Sequence, residues 1–422
     1  MLRSLQTKSY VCRQGVIVPM SLAIRRLRAA PVSAFAFAAG VLCGGSAHAT
    51  LSDTIHPFVG VSYNYDDNLF RQPDGAASGA QSDTSRNAYV GISLERPVAR
   101  QLFTANAQIS RVTFQRFDQL DYNGKNASAN WLWRLGEHLD GNLGGTYAET
   151  LASFNDFHVT ERNLRKQRGE YAELNWRFHP SWRARGRYSS DKSEFDLASQ
   201  RFLDRTEDNT ELGLDYLVSS GSSVGLQANR LKGHYPNIQN AGLLLDQGYT
   251  ENDLRLKVDW HFSALTTVQL LLGHGSRTHD SFTTRDASGT TGRLVATWLP
   301  RTSLRVVGSL SREFVPFEGS IATYSLNKGA SVKASWVISS KVSADAKYSR
   351  VQRDYRGLQG IPGLGNTDSS DSTRSAGVGL NYQARSNIQL GLSVFRESRN
   401  ANQSVTSGFH SQGGSVFANL QF

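Results

Sequence analysis

Residues 294–302 read LVATWLPRT. Leu294, Ala296 and Trp298 share one face, while Arg293, Val295 and Thr297 share the other, an alternation of period two that belongs to a strand and not to a helix. The run stops at a short polar turn, and a second alternating run follows with Leu304, Val306, Gly308 and Leu310 on one face.

The same phrase returns about every 40 residues, so one hairpin is one repeat. Ala127, Ala129, Trp131 and Trp133 precede GEHLD; Ala172, Leu174 and Trp176 precede HPS; Leu212, Leu214 and Tyr216 precede SSGS. Leu254, Leu256, Val258 and Trp260 precede FSA, Ala330 to Trp336 precede SSK, and Val378, Leu380 and Tyr382 precede ARSN. Each second run dissolves into a long connection rich in Gly, Asp, Asn and Ser. The count is eighteen strands, give or take about two, joined by eight short turns and nine long loops; among them are 87–96, 169–178, 181–191, 341–352, 387–396 and 412–422.

No apolar run after residue 49 is long enough for a membrane-spanning helix. An even number of ~10-residue antiparallel strands, with short turns at one end and long loops at the other, is instead the layout of a transmembrane β-barrel. The predicted fold is all-β: a closed antiparallel barrel of about 18 strands in the bacterial outer membrane, because lipid offers no partner to an unpaired N–H or C=O and a sheet can cross it only by closing on itself. Trp133, Trp176, Tyr216, Trp260, Trp298, Trp336 and Tyr382 then form an aromatic girdle at the periplasmic interface. The alternative is a soluble β-solenoid or propeller with a recurrent core aromatic, an architecture that does not alternate short and long connections. The chain finishes SVFANLQF, with Val416, Ala418, Leu420 and Phe422 on one face, and the terminal Phe422 is an expected assembly signal for the barrel-insertion machinery.

Composition agrees. With 38 glycines, 10% aromatic residues, 19% charged residues and a mean hydropathy of −0.40, the chain lacks the Ala/Leu/Glu/Lys surplus of long helices. Residues 1–49 differ from the rest: Arg25, Arg26 and Arg28 precede a small apolar run ending Ala47-His48-Ala49, the order of a secretory signal peptide, with residues 1–19 surplus to it and 50–422 forming the barrel. Both cysteines, Cys12 and Cys43, lie in this leader, so the mature chain has neither disulfide nor thiolate metal site. The formal charge of +10 includes six leader Lys/Arg; without them 40 basic residues face 36 acidic ones, a balance of +4 that gives no argument for nucleic acid.

The opening HPFVGVSYNYDDNLFR (His56 to Arg71), the hairpin repeat and the terminal Phe422 resemble the β-barrel porins of exopolysaccharide gene clusters, the exosortase-associated EpsL type. The likeness extends over the mature chain, and its most specific piece is YDDNLFR. It implies an outer-membrane protein of exopolysaccharide biosynthesis or export, with polysaccharide as cargo and periplasmic export components as possible partners.

A barrel of this size encloses an aqueous lumen. On WRARGRY, Trp182, Ala184, Gly186 and Tyr188 face lipid, so Arg183, Arg185 and Arg187 face inward; a tight HPS turn sets Arg177 opposite Arg183, Asn175 opposite Arg185 and Glu173 opposite Arg187. Two arginines facing each other without a carboxylate favour an anion. Arg134, Arg255, Lys257, Arg293, Arg305 and Lys347 extend this track, and Asp215, Asp259 and Asp345 partly offset it. The competing reading is that these charges satisfy one another. Loop aromatics Phe70, Phe117, Tyr122, Phe154, Phe157, Tyr235, Tyr249, Phe317 and Tyr355 either stack on sugars at the mouth or pin the loops to the rim. The connection from Asp66 to Arg86 is long enough to fold inward as a constriction.

For catalysis the sequence offers one pair, His274 and Ser276, predicted on the lipid side, where a hydrolase would need a third residue to orient the histidine; none is evident. The histidines have no two-ligand spacing on one element, and Asp66-Asp67 opens no calcium loop, so no metal or cofactor is expected. The expected function is a charged passage for exopolysaccharide, with a general solute porin as the alternative and an outer-membrane lipid hydrolase as a third reading.

Overall fold

The computed structural model describes residues 54–76, 79–156, 159–238, 246–316, 324–356, 369–401 and 406–422. The leader, and with it Cys12 and Cys43, lies outside the described residues, as do Phe157 and Phe317.

Eighteen strands form one sheet. They are β1 (Ile55–Asp66), β2 (Asp83–Val98), β3 (Gln101–Phe114), β4 (Tyr122–Leu135), β5 (Leu139–Leu151), β6 (Leu164–His179), β7 (Trp182–Phe195), β8 (Arg205–Leu217) and β9 (Ser223–His234). The second half comprises β10 (Gly248–Ser263), β11 (Thr266–His279), β12 (Ala287–Arg301), β13 (Leu304–Pro316), β14 (Tyr324–Val337), β15 (Val342–Arg356), β16 (Ser370–Arg385), β17 (Ile388–Ala401) and β18 (Phe409–Gln421). Every strand pairs antiparallel with its sequence neighbours. β1 also pairs with β18, Val59 opposite Leu420 and Tyr63 opposite Val416, so the sheet closes and has no edge. The short connections range from two residues (Ala99–Arg100) to five (218–222). Ala99, Gly136 and Gly221 take the left-handed conformation within them (φ 52°, 61° and 86°), which tight hairpins require.

Sequence alternation becomes an inside and an outside. In β9, Val224 and Leu226 are exposed and face out, whereas Ser223, Gln227 and Asn229 are buried and face the lumen. The same parity exposes Leu212, Leu254, Leu272, Leu310, Val378 and Leu392, an apolar belt that would be an aggregation hazard in water but matches hydrocarbon. The inner face mixes large apolar side chains such as Phe58, Tyr89 and Phe417 with polar ones around an open lumen, so the wall is held by its hydrogen-bond ladder more than by a packed core.

At the long-loop end the ladders run further than hydropathy indicates. β2 starts at Asp83 instead of residue 87, β6 at Leu164 instead of 169, and β18 at Phe409 instead of 412, while β15 continues to Arg356 and β17 to Ala401. Above the bilayer both faces of a strand meet water, so pairing persists after the in–out contrast has gone.

Candidate functional site: the lumen and its crossbar

The lumen wall is divided. On β7 and β8 the inward side chains include Arg183, Arg185, Arg187 and Asp215, and on β10 Asp253, Arg255, Lys257 and Asp259. The opposite wall, β16 to β5, presents amides, hydroxyls and glycines through its middle, among them Asn381, Ser393, Ser415, Asn64, Asn106 and Ser128.

The arginine row does not stand open as the facing-arginine expectation had it. Asp215 lies opposite Arg183 on β8 and takes both neighbours: Arg183 Nη2 donates to its Oδ2 at 2.7 Å and Arg185 Nε to the same oxygen at 2.7 Å. Lys257 stands 3.8 Å from that oxygen and 2.7 Å from Asp259. Asn175 and Glu173 sit opposite Arg185 and Arg187 as the tight turn predicts, and Arg187 reaches Glu173 at 3.3 Å. A bulge between Trp176 and His179 breaks the register at Arg177, which is exposed at the turn and is not paired with Arg183. Arg255 pairs with Asp253 at 3.0 Å. A shared carboxylate converts an anion trap into a compensated cluster; the sequence places Asp215 inward as a partial offset, and its pairing with both arginines comes from the register of the next hairpin.

Near the extracellular end, one loop crosses the barrel. Residues 152–156 leave β5 and place Asp156 Oδ1 3.1 Å from Arg353 Nη1 on β15 and 3.1 Å from Arg399 Nη1 on β17. Going round the wall from β5 to β17, five strands intervene. Arg399 also donates to the Asn155 carbonyl at 2.6 Å, and Asn155 is 2% exposed. Asp371 on β16 completes the anchor, accepting from Arg353 Nη2 and the Tyr355 hydroxyl, both at 2.6 Å. On its own side the loop is fastened by Phe154, which packs on Phe70 with ring centres 4.9 Å apart; Phe70 meets Phe117 at 4.8 Å, and Leu120 is fully buried beside them. These three loop aromatics therefore pin loops to one another. Tyr122, Tyr249 and Tyr355 lie in strands, not loops, and the latter two are buried. A cavity of about 560 Å³ borders the crossbar, lined by Asn155, Asp156, Arg353 and Arg399 and by inward residues of β4 to β8.

The described residues of the connection from Asp66 stay on their own side: Arg71, in the left-handed region at φ 55°, pairs with Asp66 at 2.8 Å and lies 3.6 Å from Glu397, and Asn68 Nδ2 donates to the His410 carbonyl. Among the described residues, 152–156 make the crossing and those of the 67–82 connection do not. Inward parity marks Arg353 and Arg399 in the sequence; nothing marks Asp156 as their partner.

Trp133, Trp176, Tyr216, Trp260, Trp298, Trp336 and Tyr382 all point outward beside short turns, and all but Trp133 are more than two-fifths exposed. Trp133 lies over Gly141 of β5. Trp182 joins the row against Tyr216 at 5.3 Å, and Phe262 against Trp260 at 5.2 Å. Phe422 is 66% exposed, and its N–H donates to the Pro57 carbonyl at 2.8 Å. His274 and Ser276 also point outward, and among the described residues neither bonds to the other or to a carboxylate.

A closed eighteen-stranded wall, apolar outside and polar within, defines the class: this is a β-barrel of the bacterial outer membrane. Comparison with known proteins goes no further than the fold. No family model and no curated protein matches the chain. Among solved structures it is similar to the outer membrane protein OpdK of Pseudomonas aeruginosa (10% identity, TM-score 0.48, 88% of this chain and 99% of that one). It is similar also to OccK2 (OpdF) of the same organism in complex with glucuronate (10%, 0.49, 88% and 99%). The alcaligin outer membrane receptor FauA of Bordetella pertussis is more distant (10%, 0.39, 86% and 76%).

Proposed function

We propose that the protein is a passive channel for small polar solutes, narrowed near its outer mouth by the crossbar. The observation that carries this is Asp156 held between Arg353 and Arg399 on the far wall, while the lumen beneath is lined by polar side chains. Passage needs no bond chemistry. The inner arginines and lysine Arg183, Arg185, Arg187, Arg255 and Lys257 supply a field of mixed sign together with Asp215, Glu173, Asp253 and Asp259, suited to zwitterionic and hydroxylated solutes and only weakly selective by charge. A polymer passage for exopolysaccharide, the function implied by the resemblance, would have to clear a strut anchored at both ends, so the solute channel is the better reading. In the same reading residues 1–49 direct export, the aromatic row anchors the barrel in lipid and Phe422 is recognised by the insertion machinery.

Planar-bilayer conductance and liposome swelling test the channel. Wild-type protein is expected to pass ions and small sugars, and Asp156→Ala to raise conductance and admit larger sugars. A folded barrel that stays electrically silent in both forms would refute the proposal; polymer translocation by wild type with unchanged sugar uptake would restore the export reading.

A further inference from the structure

The outer face of the barrel carries charge at one particular height. On five consecutive strands, β13 to β17, one cation apiece lies on the lipid-facing parity: Arg312, Lys328, Arg350, Arg374 and Arg396, sharing that face with Leu310, Val332, Tyr348, Val378 and Val394. All five are exposed. Arg312 is directly opposite Lys328, and Arg350 directly opposite Arg374; Arg350 is diagonal to Lys328, and Arg396 to Arg374. Like charges directly opposed on a sheet face are unfavourable, yet this row repeats them. Asp354 answers Lys328 at 2.9 Å; among the described residues Arg312, Arg374 and Arg396 have no carboxylate partner.

On β4 to β7 of the same face, cations stand beside acids. Lys125 pairs with Glu149 at 3.0 Å and Lys192 with Glu194 at 2.8 Å, and Glu194 lies opposite Lys166. The β13–β17 row is thus a local surplus. Its height follows from the chain: Lys328 is eight residues before Trp336, and Arg374 eight before Tyr382. Eight residues at ~3.3 Å, on strands tilted by ~40°, rise roughly 20 Å, close to the ~25 Å of an outer-membrane apolar band. With the tryptophans at the periplasmic interface, the cations meet the opposite one, at the headgroups of the outer leaflet.

We propose that Arg312, Lys328, Arg350, Arg374 and Arg396 form a docking strip for the phosphate groups of the phosphorylated glycolipid of the outer leaflet. Guanidinium forks suit phosphate, and two opposed pairs on adjacent strands suit a headgroup bearing two phosphates. This site is independent of whatever the lumen conducts.

The test titrates the folded barrel in neutral detergent with diphosphorylated lipid A, its dephosphorylated form and inorganic phosphate. Wild type is expected to bind the diphosphorylated lipid, and Arg350→Ser/Arg374→Ser/Arg396→Ser to bind it about a hundredfold more weakly, from roughly one screened charge contact per cation. Lys166→Ser/Lys192→Ser, on the self-paired sector, should bind as wild type. Equal affinity of the triple variant, or of wild type for the dephosphorylated lipid, overturns the proposal. So does full displacement by inorganic phosphate at millimolar concentration, which would show an unspecific anion site, or cross-linking of two chains through Val332→Cys in lipid, which would show a protein partner. If the triple variant does not fold, the wild-type comparison of the two lipids decides alone.

Discussion

The two walls of the lumen solve one packing problem with different chemistry. On the neutral wall a ring lies over the glycine of the adjacent strand: Tyr89 over Gly60, and Phe417 over Gly391. On the charged wall the same space above a glycine is filled by an ion cluster: Arg185 over Gly213, and Asp215 over Gly225. In both, the absence of Cβ lets a large side chain cross to the next strand. The ring contributes dispersion and rigidity; the ion cluster contributes a field, and depends on every member being present. One wall therefore gives shape to the lumen and the other gives it electrostatics.

The sharpest way to break this contrast is Asp215→Ala. Asp215 is fully buried and bonds to both Arg183 and Arg185; removing it should cost ~3–5 kcal/mol, the cost of leaving buried charge uncompensated, and shift the pore toward anions. Urea unfolding in lipid reads the first effect and the reversal potential in a salt gradient the second. A stable, unselective Asp215→Ala protein would mean that the cluster is solvated and that the walls differ only in composition.

Next in size is Gly391→Val on the neutral wall. A Cβ there meets the Phe417 ring, so the ring must leave its seat, at about 1–3 kcal/mol of overpacking. Selectivity should not change. An altered reversal potential would show that shape and field are not separable by wall. The smallest expected effect is Ser393→Ala, which removes one hydroxyl pair with Ser415 (2.7 Å) and should cost about 0.5–1.5 kcal/mol, with conductance and selectivity unchanged.

The contrast between the walls also explains what could be read in advance. Strand number and parity were legible because an apolar outer face, as in Leu254, Leu256 and Trp260, is required by lipid at every second residue. The tops of β6 and β17 were not, since Leu164 to Arg168 and Glu397 to Ala401 pair above the bilayer, where no solvent contrast marks a face. The inward arginines followed from parity, but Asp215 as their common partner required the register of the next hairpin. Asp156 was beyond reach, as its partners are 197 residues away in β15 and further still in β17, and loop conformation has no period.

The seam between β1 and β18 joins positions such as Val61 and Ala418, more than 350 residues apart. Until the final strand arrives, seventeen strands present two raw borders, each a template for another chain. Closure of so distant a contact is entropically slow, so assembly is governed by its last step: an escort is needed for nearly the whole chain, and a polypeptide cut short by one hairpin would be prone to aggregate instead of making a smaller pore.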